Sequence, residues 1–341
     1  MNHQPVHIVG GGLAGLSLGI ALREADIPVT LWDAGHYPRH RVCGEFICGI
    51  RSESLRRLHI DSHFRDAQRH RKIEFFLRHK SALETTIPRD AFGISRYTLD
   101  FRLAEDFRRR GGRLQSGKKV NPSGKAEPGW VWASGRQVRK SPWLGLKMHF
   151  SGLDEIEGLQ LHLGHQGYVG ISAIEGGRHN VCGLFRKRPG IRARKQELLF
   201  AYLEQTGLHA LAQRLREAEP LPESALGVSS VLFDRTFAEP DRCFIGDHYS
   251  AIPPFTGNGM SIAMESAELA LEPLTQWSRR ERTWADTLDE IRVRMQRHTG
   301  KRLLTARALH PLIYHRPGQN LLALLARTRV LPFQRLFLLT H

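Results

Sequence analysis

Cysteine is scarce: Cys43, Cys48, Cys182 and Cys243 are the only four in 341 residues. That number cannot staple a chain of this length, and no second cysteine pair completes a zinc site. The expectation is a reducing, cytoplasmic setting with no bound metal. Long apolar runs are missing as well. The longest, such as Leu321 to Ala326, fall far short of the roughly 20 residues of a membrane span. No basic segment followed by an apolar signal core is present, so a soluble, uncleaved protein is expected. Acidic residues are under-represented: 34 Asp and Glu face 50 Lys and Arg, a formal net charge of +16. Such a balance first suggests a nucleic-acid partner. The basic residues are spread along the whole chain, however, and short clusters such as Arg108-Arg109-Arg110 come with no zinc-finger, basic-zipper or RNA-binding signature. No nucleic-acid partner is therefore expected. The excess reads as a field favouring a carrier-tethered or phosphate-bearing substrate, or peripheral contact with an anionic membrane.

What is present is organised from the start. Val6-His7-Ile8-Val9 reads as a short buried strand leading into Gly10-Gly11-Gly12-Leu13-Ala14-Gly15. Apolar residues at near-helical spacing then predict a helix over Leu13 to Ala25, and Ile27 to Trp32 predicts a second strand ending on Asp33. This strand-helix-strand unit is the context a dinucleotide fingerprint requires. Gly10 permits the tight turn, Gly12 lets backbone approach a pyrophosphate, and Gly15 allows the helix to pack close to the strand. The helix N-terminus supplies free N–H groups, at Leu13 and Ala14 among others. Asp33 is placed to accept hydrogen bonds from a ribose 2′-OH, which favours an unphosphorylated adenosine ribose, as in FAD or NAD.

The next segment, Pro38-Arg39-His40-Arg41-Val42-Cys43-Gly44-Glu45, resembles the PRxKxCGE stretch of FAD-dependent oxidoreductases related to geranylgeranyl reductase and para-hydroxybenzoate hydroxylase. Two later segments carry the same resemblance. Arg96-Tyr97-Thr98-Leu99-Asp100, with a helix from Leu103 to Arg110, is similar to the R-x-x-L-D helix of that superfamily. Cys243-Phe244-Ile245-Gly246-Asp247, followed by Pro253-Pro254-Phe255-Thr256-Gly257-Asn258-Gly259-Met260, is similar to its second FAD fingerprint. The resemblance implies FAD as cofactor and NAD(P)H as electron donor. It implies contacts to FAD from Gly10, Gly12, Leu13, Ala14, Gly15, Asp33, Arg41, Arg96, Gly246, Asp247, Pro254, Gly257, Asn258, Gly259 and Met260. It brings Cys43, Glu45 and Tyr168 near the reacting ring as catalytic candidates.

Three departures from the family pattern narrow the activity. His165-Gln166-Gly167-Tyr168-Val169-Gly170 lacks the proline and tryptophan of the reductase motif, Ser134 stands where the hydroxylases carry an acid, and no halogenase Trp-x-Trp-x-Ile-Pro motif is present. A monooxygenase acting on a hydrophobic or aromatic small molecule is the expected function, with an ene-reductase of a prenyl or polyketide-like substrate as the alternative. A non-catalytic nucleotide- or nucleic-acid-binding protein is a remote third reading. His248, directly after Asp247, departs from the small residue usual in the family.

The expected architecture is α/β: a Rossmann-like FAD domain from 1–70, 95–140 and 238–280, and an antiparallel substrate sheet from 71–94 and 141–237. A basic helical tail follows over 281–341. Alternation at Leu144, Leu146, Met148 and Phe150 predicts a half-buried strand in that sheet, one face on core and the other free to cover a ligand. Residues 193–217 read as one helix.

Overall fold

The computed structural model describes residues 3–77, 79–121, 127–136, 140–229, 239–328 and 330–341. The expected boundary at 237/238 and Arg329 of the basic tail lie outside the described residues.

Thirteen strands and nine α-helices are found among the described residues. The strands are β1 (Val6–Val9), β2 (Val29–Asp33), β3 (Phe46–Ile47), β4 (Gln68–Leu77), β5 (Lys80–Gly93), β6 (Arg113–Ser116), β7 (Trp130–Trp132), β8 (Trp143–Ser151), β9 (Leu159–Gly164), β10 (Gly167–Ile174), β11 (Arg178–Arg186), β12 (Glu219–Val228) and β13 (Cys243–Phe244). The helices are α1 (Leu13–Glu24), α2 (Ser52–Arg57), α3 (Arg96–Arg109), α4 (Leu198–Gln205), α5 (His209–Glu217), α6 (Gly259–Ser278), α7 (Trp284–Tyr314), α8 (Arg316–Arg327) and α9 (Phe333–Thr340). Among the described residues, no helix is long and apolar enough to cross a membrane.

Five strands form a parallel sheet in the order β13-β7-β1-β2-β6. Its central strand β1 feeds α1, whose first ten residues, Leu13 to Leu22, are all buried. A helix with no polar face has to be covered all round. The sheet lies on one side and α3 and α6 pack on others, through Leu16, Ile20, Phe107, Met264 and Ala267 of one core. Burial of each large side chain contributes about 1.5–3 kcal/mol.

The second sheet has eight strands in the order β12-β8-β11-β10-β9-β4-β5-β3. The sequence reading of a purely antiparallel sheet is corrected here, because β4 and β9 run parallel. A parallel pair needs a long crossover, and the chain between these strands passes through β5, α3, β6, β7 and β8, which supplies one. Phe46 and Ile47, in the segment assigned to the cofactor unit, pair with β5 in this sheet. The single helix expected over 193–217 is two, because Gly207 at φ +81° breaks it between α4 and α5.

The alternation in β8 sorts as its period dictates. Leu146, Met148 and Phe150 share a core with Val169, Ile171 and Val181 against α4 and α5. The opposite face carries Lys147 and His149 on β8, Asn180 and Cys182 on β11, Tyr168 and Ser172 on β10, and Leu161 and Leu163 on β9. This face is polar at one side, apolar at the other, and turned toward the glycine-rich loops.

Candidate cofactor and active site

The glycine turn after β1 is built by steric necessity at two positions. A Cβ on Gly10, which sits at φ +114°, would lie 2.2 Å from the Ala133 carbonyl oxygen, and one on Gly15 would lie 2.0 Å from the Gly10 carbonyl oxygen. Gly12 differs. The nearest atom to a Cβ there is Nη2 of Arg96 at 3.6 Å, so the turn is open on that side. No side chain caps α1, and its first turn carries no acid. Open space at an uncapped helix N-terminus favours an anion.

Two guanidinium groups border this space. Asp100, fully buried on α3, accepts from Nε and Nη2 of Arg96 at 2.7 Å each and from Nε of Arg41 at 2.8 Å. Arg41 also donates to the Gly11 carbonyl at 3.2 Å. One carboxylate thus holds two cations, leaving a net positive charge beside the helix N-terminus, the arrangement a pyrophosphate needs.

Asp33 ends β2 beside the glycine turn. Its carboxylate is 6% exposed and already engaged: Oδ2 accepts the Gly11 N–H at 2.7 Å, and Oδ1 accepts the Gly35 N–H at 2.7 Å and Nη2 of Arg39 at 2.6 Å. The Tyr37 hydroxyl closes the loop by donating to the Gly11 carbonyl at 2.5 Å. Asp33 thus fastens the glycine turn from the protein side.

The second fingerprint meets the first. Gly246, at φ +61°, lies so close to α1 that a Cβ would be 2.9 Å from the Ala14 Cβ. Asp247 follows, one-third exposed and paired with Nε of Arg136 at 3.2 Å. Gly257, at φ +71°, turns the chain into α6, whose N-terminus at Gly259 also has no side-chain cap. The N-termini of α1 and α6 and the Gly246-Asp247 turn therefore gather at one place, although they come from opposite ends of the sequence. Leu13, Ala14 and Met260 have their side chains in the core, so only their backbone is offered to a cofactor. Pro254 is exposed on the loop. The Asn258 side chain is committed elsewhere: its Oδ1 accepts from Thr256 at 2.6 Å, and its amide donates to the Thr340 carbonyl, tying the loop to α9.

Two departures from the family pattern turn out to be partners. Ser134 and His248 meet at 2.7 Å between Oγ and Nδ1, and the imidazole stacks on Phe244. Burial pushes the His248 pKa down to about 4, so it is a neutral packing group behind the cofactor loop.

Glu45 anchors a buried charge cluster. Its carboxylate lies 2.9 Å from Nζ of Lys147, 2.6 Å from Nε2 of His149, and accepts the Arg96 N–H at 2.9 Å; Glu45 and the Lys147 side chain are both fully buried. Burial alone raises a carboxyl pKa. Here the His149 hydrogen bond and the Lys147 charge outweigh it and hold the Glu45 value below the ordinary one. Glu45 also sits at φ +51°, a conformation that costs a non-glycine residue about 1–3 kcal/mol. His40, beside Lys147 at 3.5 Å, is pushed down to about 4 by burial and then by that lysine. Lys147 and His149 escaped the sequence reading, although they are the polar members of the β8 face left free for a ligand.

Cys43 lies next to this cluster, its carbonyl held by the Asn180 amide at 3.0 Å. Burial, the largest influence, raises the thiol pKa. Tyr168 shares the sheet face but sits further along, packed with Leu161, Leu163, Leu184, Ala251 and Ile313. Glu45 is in contact with Lys147 and His149, and the Cys43 thiol with the Arg96 guanidinium, whereas Tyr168 lies among apolar side chains. On one rung of that face Ser172, Asn180 and His149 lie side by side. Each carries a buried polar atom (Oγ, Oδ1 and Nδ1) with no hydrogen-bond partner among the described residues. Buried orphans of this kind fit a site completed by a ligand.

Beyond the polar rung lies an apolar cavity of about 120 Å³. Phe75, Leu161 and Leu163 form its floor, Leu322 and Phe337 its roof, and Phe255 of the cofactor loop one wall.

Residues 8–42 match the family described as NAD(P)-binding Rossmann-like domain. The whole chain superposes on HpxO of Klebsiella pneumoniae in complex with FAD and uric acid, with a TM-score of 0.77, 15% identity and coverage of 99% of this chain and 98% of that one. PqsL of Pseudomonas aeruginosa, described as a probable FAD-dependent monooxygenase, superposes in complex with 2-aminobenzoylacetate at a TM-score of 0.74 and 15% identity, over 94% and 99% of the two chains. This chain shares the fold of these proteins. The flavin-dependent brominase Bmp2 shares it at a TM-score of 0.76 and 16% identity, covering 99% and 93%. No curated protein matches the sequence.

Proposed function

We propose that the protein is an FAD-dependent monooxygenase that hydroxylates a hydrophobic or aromatic small molecule at the expense of NAD(P)H and O₂. One observation carries the reading: the loop ending in Gly257, at the start of α6, also walls the apolar cavity through Phe255, so a ligand in the cavity lies beside the cofactor loop. Bound FAD would supply the electron sink and the reaction with oxygen.

The protein's own residues do the rest. Arg41 and Arg96, fixed by Asp100, and the N-terminus of α1 neutralise the pyrophosphate. The uncapped N-terminus of α6 would offer N–H groups to negative charge on the bound ring. Leu161, Leu163 and Phe75 exclude water from the substrate. Glu45, Lys147 and His149 form a hydrogen-bonded set that holds a proton next to the polar rung. Balance requires that one oxygen atom enter the substrate and the other leave as water, with the two electrons coming from NAD(P)H.

The test incubates the FAD-loaded protein with NADPH and a panel of prenyl and phenolic compounds, with and without oxygen. A product heavier by one oxygen atom, formed only aerobically, is expected. A product heavier by two hydrogens, formed without oxygen, would instead establish the ene-reductase.

A further inference from the structure

The last fifty-one residues of the chain, 291–341, contain ten Lys and Arg and not one Asp or Glu. The same stretch holds a concentration of exposed apolar side chains. Of the ten large hydrophobic residues exposed among the described ones, five lie between 321 and 339: Leu321, Leu324, Val330, Leu338 and Leu339, each between 47% and 66% accessible.

These residues sit on helices that are apolar on two sides. On α8, Leu322, Ala323 and Ala326 line the cavity, and Leu321 and Leu324 lie on the opposite side of the helical wheel. On α9, Phe333, Leu336 and Phe337 line the cavity while Leu338 and Leu339 face outward. Packing onto the body of the protein accounts for the inner faces only. Arg316, Arg327 and Arg335 are exposed on the same two helices.

We propose that α8, α9 and the turn between them dock on an anionic phospholipid bilayer. The outer leucines and Val330 enter the boundary between headgroups and acyl chains, and the basic side chains meet lipid phosphates. Charge complementarity selects this occupant. A second copy of the chain would bring one acid-free basic face against another. Nucleic acid would find aliphatic side chains and no aromatic platform for its bases. Docking makes α8 and α9 a partition between the bilayer and the cavity. Entry of a lipophilic substrate from the membrane through it rests on the cavity being the substrate site.

The test is co-sedimentation of the FAD-loaded full chain with vesicles of phosphatidylcholine alone or mixed with phosphatidylglycerol. Binding to the mixed vesicles is expected, about tenfold or more above binding to pure phosphatidylcholine and reduced by salt. The exposed-site variant Leu324→Glu/Leu338→Glu should lose about tenfold of that binding. Val228→Glu, on the far edge strand β12, should lose none, and both proteins should keep their melting temperature. Equal binding to the two vesicle types, or an unaffected double variant, overturns the proposal. So does a dimer that the double variant dissolves in the absence of vesicle binding, or duplex DNA binding that survives the leucine changes. Because vesicle binding needs no turnover, its failure leaves the proposed reaction standing, and a failed hydroxylation assay leaves the docking result standing.

Discussion

Replacing Lys147 with methionine would leave Glu45 buried with one of its two basic partners gone. The ammonium is 2.9 Å from the carboxylate, and neither side chain has access to water. Removing one member of such a pair costs about 3–5 kcal/mol, a large fraction of the stability of a typical domain. The pH dependence distinguishes this from a packing defect. In the native protein the Glu45 pKa lies below the unfolded value of 4.5. Its contribution is therefore complete above that pH and is lost only as pH falls through the native value. In Lys147→Met the burial that now opposes ionisation is no longer offset by the lysine, and the carboxyl pKa moves above the unfolded one. The deficit against native protein is then greatest at neutral pH and narrows on acidification, by at most about 1.4 kcal/mol per pH unit. Urea denaturation followed by tryptophan fluorescence, repeated between about pH 7.5 and 5.5, measures both quantities. The double variant Glu45→Gln/Lys147→Met, which removes both charges, should recover most of the loss. A single variant as stable as native protein, or a deficit that widens as pH falls, would refute the reasoning.

Glycine substitutions should separate fold from cofactor. Gly10→Ala and Gly15→Ala place a methyl group 2.2 and 2.0 Å from backbone oxygens and should lower the melting temperature of the apoprotein, whereas Gly12→Ala should leave it unchanged and reduce FAD retention, read from flavin absorbance. Asp100→Asn should release Arg41 and Arg96 and raise the FAD dissociation constant by about tenfold or more; titration of the apoprotein checks it, and an unchanged constant removes both arginines from the cofactor site. Asp33→Ala should destabilise the apoprotein by about 1–3 kcal/mol through the orphaned Gly11 and Gly35 N–H groups, and if it weakened FAD binding alone, the fastening role would be refuted. Leu163→Trp should fill part of the cavity and raise the KM for substrate while leaving FAD binding intact.

The strand-helix-strand start, the two glycine fingerprints and the alternation of β8 were legible because each is local. A period of 3.6 or 2, or a glycine where a turn must be tight, is written in neighbouring residues. The resemblance carried Arg41 and Arg96 to the cofactor site by motif alone, without showing that one buried carboxylate, Asp100, organises both. The hydrogen bonds that tie Asp33 to Gly11 and Gly35 were not legible, because its position in the fingerprint says nothing of which donors lie nearest its carboxylate.

By itself, the sequence determined which residues share a face and where the chain must turn. It did not determine what lies across a face. Lys147 looked like one polar residue among alternating apolar ones, and only packing against a loop 102 residues away made it a buried cation. The meeting of Ser134 with His248, the union of the two fingerprints at Gly246, and the cavity beneath α8 and α9 have the same origin. Side-chain period is set by local backbone geometry, whereas burial, pairing and enclosed space depend on which distant surface is brought opposite, and tertiary packing alone decides that.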